Sequence, residues 1–294
     1  MQDSGKRIVL WTLVIVYTIA LPDANVVYDT IAKHFSHFVA GKVPIAIILI
    51  FGMSYAGSGI ITKKNPRYYL FLIPCVIIVF AVFLLESNPN KHIHIPEYIV
   101  MSWLLYEALS IDYTGKGIFL LTFLCAAMVG IVDELAQGIY PDRYYGWVDM
   151  SINTASSVIG ILTLMGIKNM PKGDWVWTGC LKTRKGSLGH LAFGVTGAVL
   201  LCVYLFNVKA TGAFRGAYPS WLFVWNCLFL ILSPAIVLYS HRRVRKYVSY
   251  GHEKDDPVYA KEMTAHLWII VPLAILFVMH AMAVFIDLSG VTFS

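Results

Sequence analysis

Apolar residues in this chain come in long runs joined by short polar connections. Nine runs predict helical spans: residues 8–21, 43–61, 68–85, 95–111, 117–138, 147–167, 188–206, 219–239 and 266–288. Most approach the roughly 20 apolar residues that a helix needs to cross a hydrocarbon core about 30 Å thick. The first run is the shortest, and it extends through Val26 and Val27. It follows Lys6 and Arg7 and has small residues near Ala20, which is also the layout of a secretory signal peptide; we read it as an uncleaved first span. Between the first two runs, Val27, Ile31, Phe35 and Phe38 recur at helical spacing opposite Lys33 and His37. That pattern predicts a helix over residues 23–42 lying in the membrane interface. No internal repeat of useful strength is visible.

Composition agrees with the pattern. The 294 residues are 58% hydrophobic and only 14% charged, with a mean hydropathy of +0.67. These values exclude an ordinary soluble domain and predict an all-α, polytopic integral membrane bundle of about nine spans. The net charge of +6 does not require a nucleic-acid partner, because basic cytoplasmic loops produce the same balance. Of the 23 lysines and arginines, 17 fall at the N-terminus and in the even-numbered connections. The positive-inside rule then places the N-terminus in the cytoplasm and the C-terminus outside a cell membrane. The basic cluster from His241 to Lys246 becomes a cytoplasmic topology anchor, with binding of anionic lipid head groups as the alternative. Tyr68, Tyr69, Tyr144, Tyr145, Trp147, Trp175 and Trp177 fall at span ends, as an aromatic belt would. Cys75, Cys125, Cys180, Cys202 and Cys227 show neither pairing nor metal-ligand spacing. Three regions follow: residues 1–67, N-terminal spans with an external interfacial helix; residues 68–167, a compact core; and residues 168–294, a three-span extension.

Polar residues within the core break the pattern at one boundary. Glu134 and Gln137 are three apart at the end of one span, and Asp149 and Asn153 are four apart at the start of the next, so each pair shares a helix face. Pro141 cannot continue the first helix and biases Tyr140 away from helical geometry. Arg143 lies in the turn. Lys91, His94 and Glu97 open an earlier span. The charge bias puts all of these ends on the outer side. Ionisable groups at membrane depth are costly and usually face protein or water. His94, Glu97, Glu134, Gln137, Arg143, Asp149 and Asn153 are therefore expected to converge on one wetted cavity. Asp133 is expected to face solvent or head groups instead, and His280, alone in mid-span, to be a core histidine.

This arrangement resembles the VanZ-like membrane proteins. Their pattern has a Lys and a His opening one span, often with Glu-Tyr just after, then a Glu-x-x-Gln ending a second span and an Arg in the turn. An Asp and an Asn four residues on open a third. Lys91, His94, Glu97, Tyr98, Glu134, Gln137, Arg143, Asp149 and Asn153 follow it in order, and the likeness covers roughly residues 91–160. Asn90 stands where an acid is common, and Ser156 where the family usually has a glycine; Gly160 remains. The resemblance implies a site acting on a lipid or lipid-linked head group, linked to the cell envelope or to glycopeptide resistance.

The residue types suit that chemistry. A histidine beside carboxylates can act as general base or nucleophile, which casts His94, Glu97, Glu134 and Asp149 as catalytic candidates. Arg143 can hold a phosphate through two hydrogen bonds, with Lys91, Gln137 and Asn153 as further binding groups. Glu134 and Asp149 can instead hold a hard divalent cation. Each residue also has a structural reading: His94 bonded to Glu97, Glu134 paired with Arg143, Asp149 stabilising a helix start, Gln137 and Asn153 joining helices. A non-catalytic binder of a lipid or an amphiphilic antibiotic needs the same pocket as an enzyme. A transporter would show inverted repeats and midplane helix breaks, and neither is apparent.

Overall fold

The computed structural model describes residues 2–113, 115–140, 143, 145–168, 184–211, 219–250, 256–290 and 293. Tyr144, Trp175, Trp177 and Cys180, together with Pro141 and Asp142 of the turn, lie outside the described residues. The described chain is helical, with no strand among the described residues. The helices are α1 (Gln2–Ala20), α2 (Ala24–His34), α3 (His37–Ile61), α4 (Arg67–Leu70), α5 (Leu72–Leu85) and α6 (His94–Ser110). They continue with α7 (Ile118–Gln137), α8 (Trp147–Ile167), α9 (Lys185–Thr211), α10 (Ser220–Ser249) and α11 (Pro257–Ser289). Among the described residues, eight helical stretches are long and apolar enough to cross a membrane. The ninth expected run, α6, has 17 residues. At 1.5 Å per residue it rises about 25 Å, short of a hydrocarbon core of about 30 Å.

The surface fits a chain bathed in hydrocarbon. Ile19, Ile61, Leu84 and Ile231 are 70% or more exposed, each on a different helix. A soluble protein would cover such apolar faces. α6 is the opposite case, with buried residues on most of its faces, from His94 to Leu109.

Three local breaks depart from the expected pattern. The interfacial helix expected over residues 23–42 is two pieces, because Ser36 is extended and accepts a hydrogen bond from Val39 N at 3.2 Å. That is an N-cap, and it starts a new helix. The run over residues 68–85 breaks after Leu70. Pro74 lacks the N–H that would bond Leu70, and its ring collides with that carbonyl. α10 does not end with its apolar run; it carries the His241–Lys246 cluster on helix through Ser249.

The chain divides into two compact units. Unit 1 comprises Met1–Ile111, Thr122–Asp133 and Gly146–Pro171, and unit 2 comprises Asp112–Leu121, Glu134–Tyr145 and Lys172–Ser294. In unit 1, α6 packs along α8 and also meets α1 and α3, while α5 lies against α8. The apolar seam contains Val82 of α5, Ile95 and Ile99 of α6, and Ile152 and Ile159 of α8. Gly160 allows the close approach: a Cβ there would lie 2.6 Å from Ser102 Cβ and 3.2 Å from the Ile99 Cα. Ser156, one turn earlier, fits the same seam fully buried, donating to Ile152 O at 2.6 Å.

In unit 2, α9, α10 and α11 pack pairwise. Gly194 and Gly197 of α9 leave room for Phe229, Trp225 and His280. His280 is fully buried and bonds its own helix at Leu276 O, 2.8 Å, which matches a core histidine. At the end formed by the α9 and α11 starts, buried Arg184 bonds Ser240 Oγ at 2.7 Å and Glu262 Oε2 at 2.5 Å.

Gly160→Val is expected to destabilise the protein by about 1–3 kcal/mol, the cost of overpacking a tight contact. Gly52→Ala, where a Cβ meets open space, should be neutral or slightly stabilising. Thermal unfolding of the detergent-solubilised variants reads both.

Candidate functional site

The first cluster forms where the chain enters α6. A short 3-10 turn, Pro89–Ile93, leads into His94. Pro96 falls in the first helical turn, where its missing N–H removes no helical bond. The i,i+3 spacing then brings His94 and Glu97 together: His94 Nδ1 lies 3.0 Å from Glu97 Oε2. Both are on the inside; His94 is 5% exposed. Tyr17 of α1 donates to the Glu97 backbone carbonyl at 3.0 Å, a contact 80 residues away in sequence that no local pattern signals.

The turn also carries Lys91. Its ammonium lies 2.9 Å from Asp149 Oδ2 in the first turn of α8 and 3.4 Å from Glu86 Oε2. Burial alone would lower the Lys91 pKa; the Asp149 and Glu86 carboxylates together outweigh it and hold the ammonium above its ordinary value. Gly146, just before α8, leaves space that the Asp149 carboxylate uses; a Cβ there would collide with Asp149 Oδ2. Asp149 is thus more than a favourable charge at a helix N-terminus: it joins the turn before α6 to the start of α8. Glu86 is a member of this cluster that the sequence reading missed. His92, whose Nε2 lies 2.9 Å from Glu86 O, fixes the same segment.

The third feature is a correction. Asp133 does not face solvent or head groups; it is 2% exposed and accepts from Tyr98 OH at 3.1 Å. The reason lies in Ala126, Gly130 and Asp133, which share one helix face. The small residues let α7 approach closely, and Asp133 goes inward with them. A Cβ on Gly130 would sit 2.9 Å from Asn153 Cβ and 3.3 Å from the Tyr98 ring. Asn153 Nδ2 lies 3.5 Å from Gly130 O, at the outer limit of a hydrogen bond. The Gly130–Asp133 spacing was the available signal. Asp149 Oδ1 and Asn153 Oδ1 are buried acceptors that no hydrogen bond reaches among the described residues.

Unit 2 holds the other candidates. Glu134 and Gln137 are buried one turn apart on α7, and the Arg143 guanidinium donates to Gln137 Oε1. Glu134, Gln137 and Arg143 belong to this unit, whereas Lys91, His94, Glu97, Asp149 and Asn153 belong to unit 1. Each unit thus brings its own members together: His94 with Glu97, Lys91 with Asp149, and Gln137 with Arg143. Among the described residues no group of three or more His, Cys, Asp or Glu side chains is set to hold a metal ion.

Unit 1 also contains a cavity of about 400 Å³. The α1 end, α2, α3 and the approach to α6 enclose it. Its lining is mostly apolar, with Ile31, Val43, Pro44 and Ile47 among the walls; Asp23, Tyr28, Asn90 and Glu97 supply the polar part. Glu97 therefore belongs both to the histidine pair and to the cavity wall. Nothing in the periodicity signals this cavity, because its lining comes from three separate stretches of chain, residues 20–31, 40–47 and 90–97. Comparison with protein-family models, curated proteins and solved structures gave no match to this chain.

Two stability tests follow. Lys91→Met should cost about 1–3 kcal/mol, because it leaves the Asp149 carboxylate buried without its partner; the loss stays below that of a fully buried pair because Lys91 is one-third exposed. Since the folded Lys91 pKa is raised, this contribution is full below the unfolded value near 10.4 and disappears as pH rises through the folded value. Unfolding at pH 7 and pH 11 measures both parts, and Lys91→Met should flatten the alkaline loss. Separately, Tyr98→Phe and Asp133→Asn should be strongly non-additive, with a coupling of about 0.5–3 kcal/mol in a double-mutant cycle.

Proposed function

We propose that this chain is a VanZ-like integral membrane protein that acts on the head group of a lipid or lipid-linked substrate, by phosphodiester hydrolysis or head-group exchange. On this reading α6 completes a set of nine spans, and the polar helix ends lie at the outer leaflet. The supporting observation is the buried His94–Glu97 pair beside the Lys91–Asp149 pair where α6 and α8 begin. Burial of such groups is costly unless a function or a network holds them.

The chemistry follows from the pairing. When Glu97 accepts the proton on His94 Nδ1, the basic lone pair is on Nε2, where a general base takes a proton from an attacking hydroxyl or water. In unit 1, Lys91, held by Asp149, is the positive group beside this histidine. In unit 2, the Arg143 guanidinium, oriented by Gln137, and the Glu134 carboxylate are a separate set of candidate binding groups.

A second reading, non-catalytic retention of a lipid or an amphiphilic antibiotic, draws support from the apolar cavity that reaches Glu97. Turnover separates the two. Cells expressing the wild type should show a changed lipid profile by mass spectrometry, and His94→Ala should reduce the conversion on the order of 10²–10⁴-fold, the usual contribution of a general base. A profile identical to that of cells lacking the protein would rule out the enzyme and leave retention. Reporter fusions check orientation: fusions after Arg143 and at the C-terminus should report outside, and those after Lys185 or Lys246 the cytoplasm. A cytoplasmic signal after Arg143 would remove the outer-leaflet assignment.

A further inference from the structure

The unit 1 cavity has a definite chemical preference. Its volume of about 400 Å³ falls within the roughly 300–1,000 Å³ of small-molecule sites. Val43, Pro44 and Ile47 make an apolar wall suited to hydrocarbon. Among the described residues, the charged side chains in the lining are Asp23 and Glu97, both carboxylates, with no Lys, Arg or His. Asp23 precedes α2 without making a side-chain cap bond to it, so its carboxylate is not spent on the helix end. Tyr28 adds an aromatic ring, a surface that attracts cations.

Beyond the lining the charges are mixed. Glu86, Asp133 and Asp149 accompany Lys91 on the α6 side, and Lys33 and Lys42 are on α2 and α3 but not in the lining. Lys91 is engaged by two carboxylates and is not in the cavity lining. An anionic head group entering this cavity would meet like charge, whereas an ammonium would meet opposite charge from the largely buried Glu97 and, nearer the solvent, from the exposed Asp23. The approach is apolar as well: Val26, Val27, Phe35 and Phe38 are all more than 60% exposed around α2 and the α3 start. They are exposed apolar side chains that a hydrocarbon chain can touch, with the Lys42 ammonium 3.9 Å over the Phe38 ring.

We propose that the cavity holds the hydrocarbon chain of an amine-headed lipid, with the ammonium bound by the carboxylates of Asp23 and Glu97. This names the ligand class of the site and rests on the reading that the polar residues of unit 1 face a lipid. It differs from the head-group chemistry in requiring binding alone.

The test uses the full-length protein in dodecyl maltoside, an uncharged detergent, at pH 8. The probes are hexadecylamine and hexadecanoic acid, each carrying a nitroxide near the chain end. The amine should give an immobilised spin signal that unlabelled hexadecylamine displaces, and the acid should bind at least about tenfold more weakly. Asp23→Asn, at an exposed position, should weaken the amine about tenfold and leave the acid unchanged or slightly improved. Val43→Trp, which fills the cavity, should abolish both signals; if it does not elute as a monodisperse species, the Asp23→Asn and acid comparisons decide. Equal binding of acid and amine, or an unaltered amine affinity in Asp23→Asn, overturns the proposal. Lipid conversion without amine binding would sink this inference and spare the proposed reaction; amine binding without conversion would do the reverse.

Discussion

The structure of unit 1 depends on one constraint: ionisable side chains placed inside a low-dielectric helical packing must find partners in that packing. Water would satisfy Lys91, Asp149, Asp133 and Glu97 separately at a surface. Inside, each must be matched by a particular atom on another element, or the desolvation cost falls on stability. Lys91 meets Asp149 and Glu86, Tyr98 meets Asp133, and His94 meets Glu97. These bonds tie the turn before α6 to α5's end and to α8, and tie α6 to α7. Apolar packing alone is nearly indifferent to rotation of one greasy helix on another. The charge pairs are directional, so they select one register among many packings of similar apolar burial.

The apolar seam and the polar pairs support each other. Gly160 and Ser102 let α6 and α8 approach closely, and close approach at mid-helix keeps the two N-terminal ends near enough for Lys91 to reach Asp149. In a membrane such small-residue contacts matter more than in water, because surrounding lipid is as apolar as leucine and supplies no hydrophobic drive for association. Gly130 works in the same way between α7 and its neighbours, admitting Asn153 and the Tyr98 ring.

The helical class and most of the apolar runs were legible in the sequence because the physics behind them is local. Span length follows from hydropathy, and the His94–Glu97 pair follows from i,i+3 geometry. The breaks at Ser36 and before Pro74 were legible in principle, since a capping serine and a proline act within one turn. Asp133 was misread: the small residues at positions 126 and 130 share its helix face, and it turns inward with them. The partners of the site were not legible. Tyr17, Glu86 and the cavity wall reach Glu97 or Lys91 through folds of the chain 5 to 80 residues long, and no periodicity encodes such meetings. The length of α6 also hid its role: a run that looks like an ordinary span is 17 residues long and mostly buried.

Catalysis and retention make different demands on this arrangement. A general base must have its proton-accepting nitrogen aimed and its tautomer fixed before substrate arrives, which is what a carboxylate on the other ring nitrogen achieves. Retention asks only for an apolar volume and a complementary charge. Glu97 meets both requirements through different atoms and effects: one oxygen orients His94, and the carboxylate's charge contributes to the cavity.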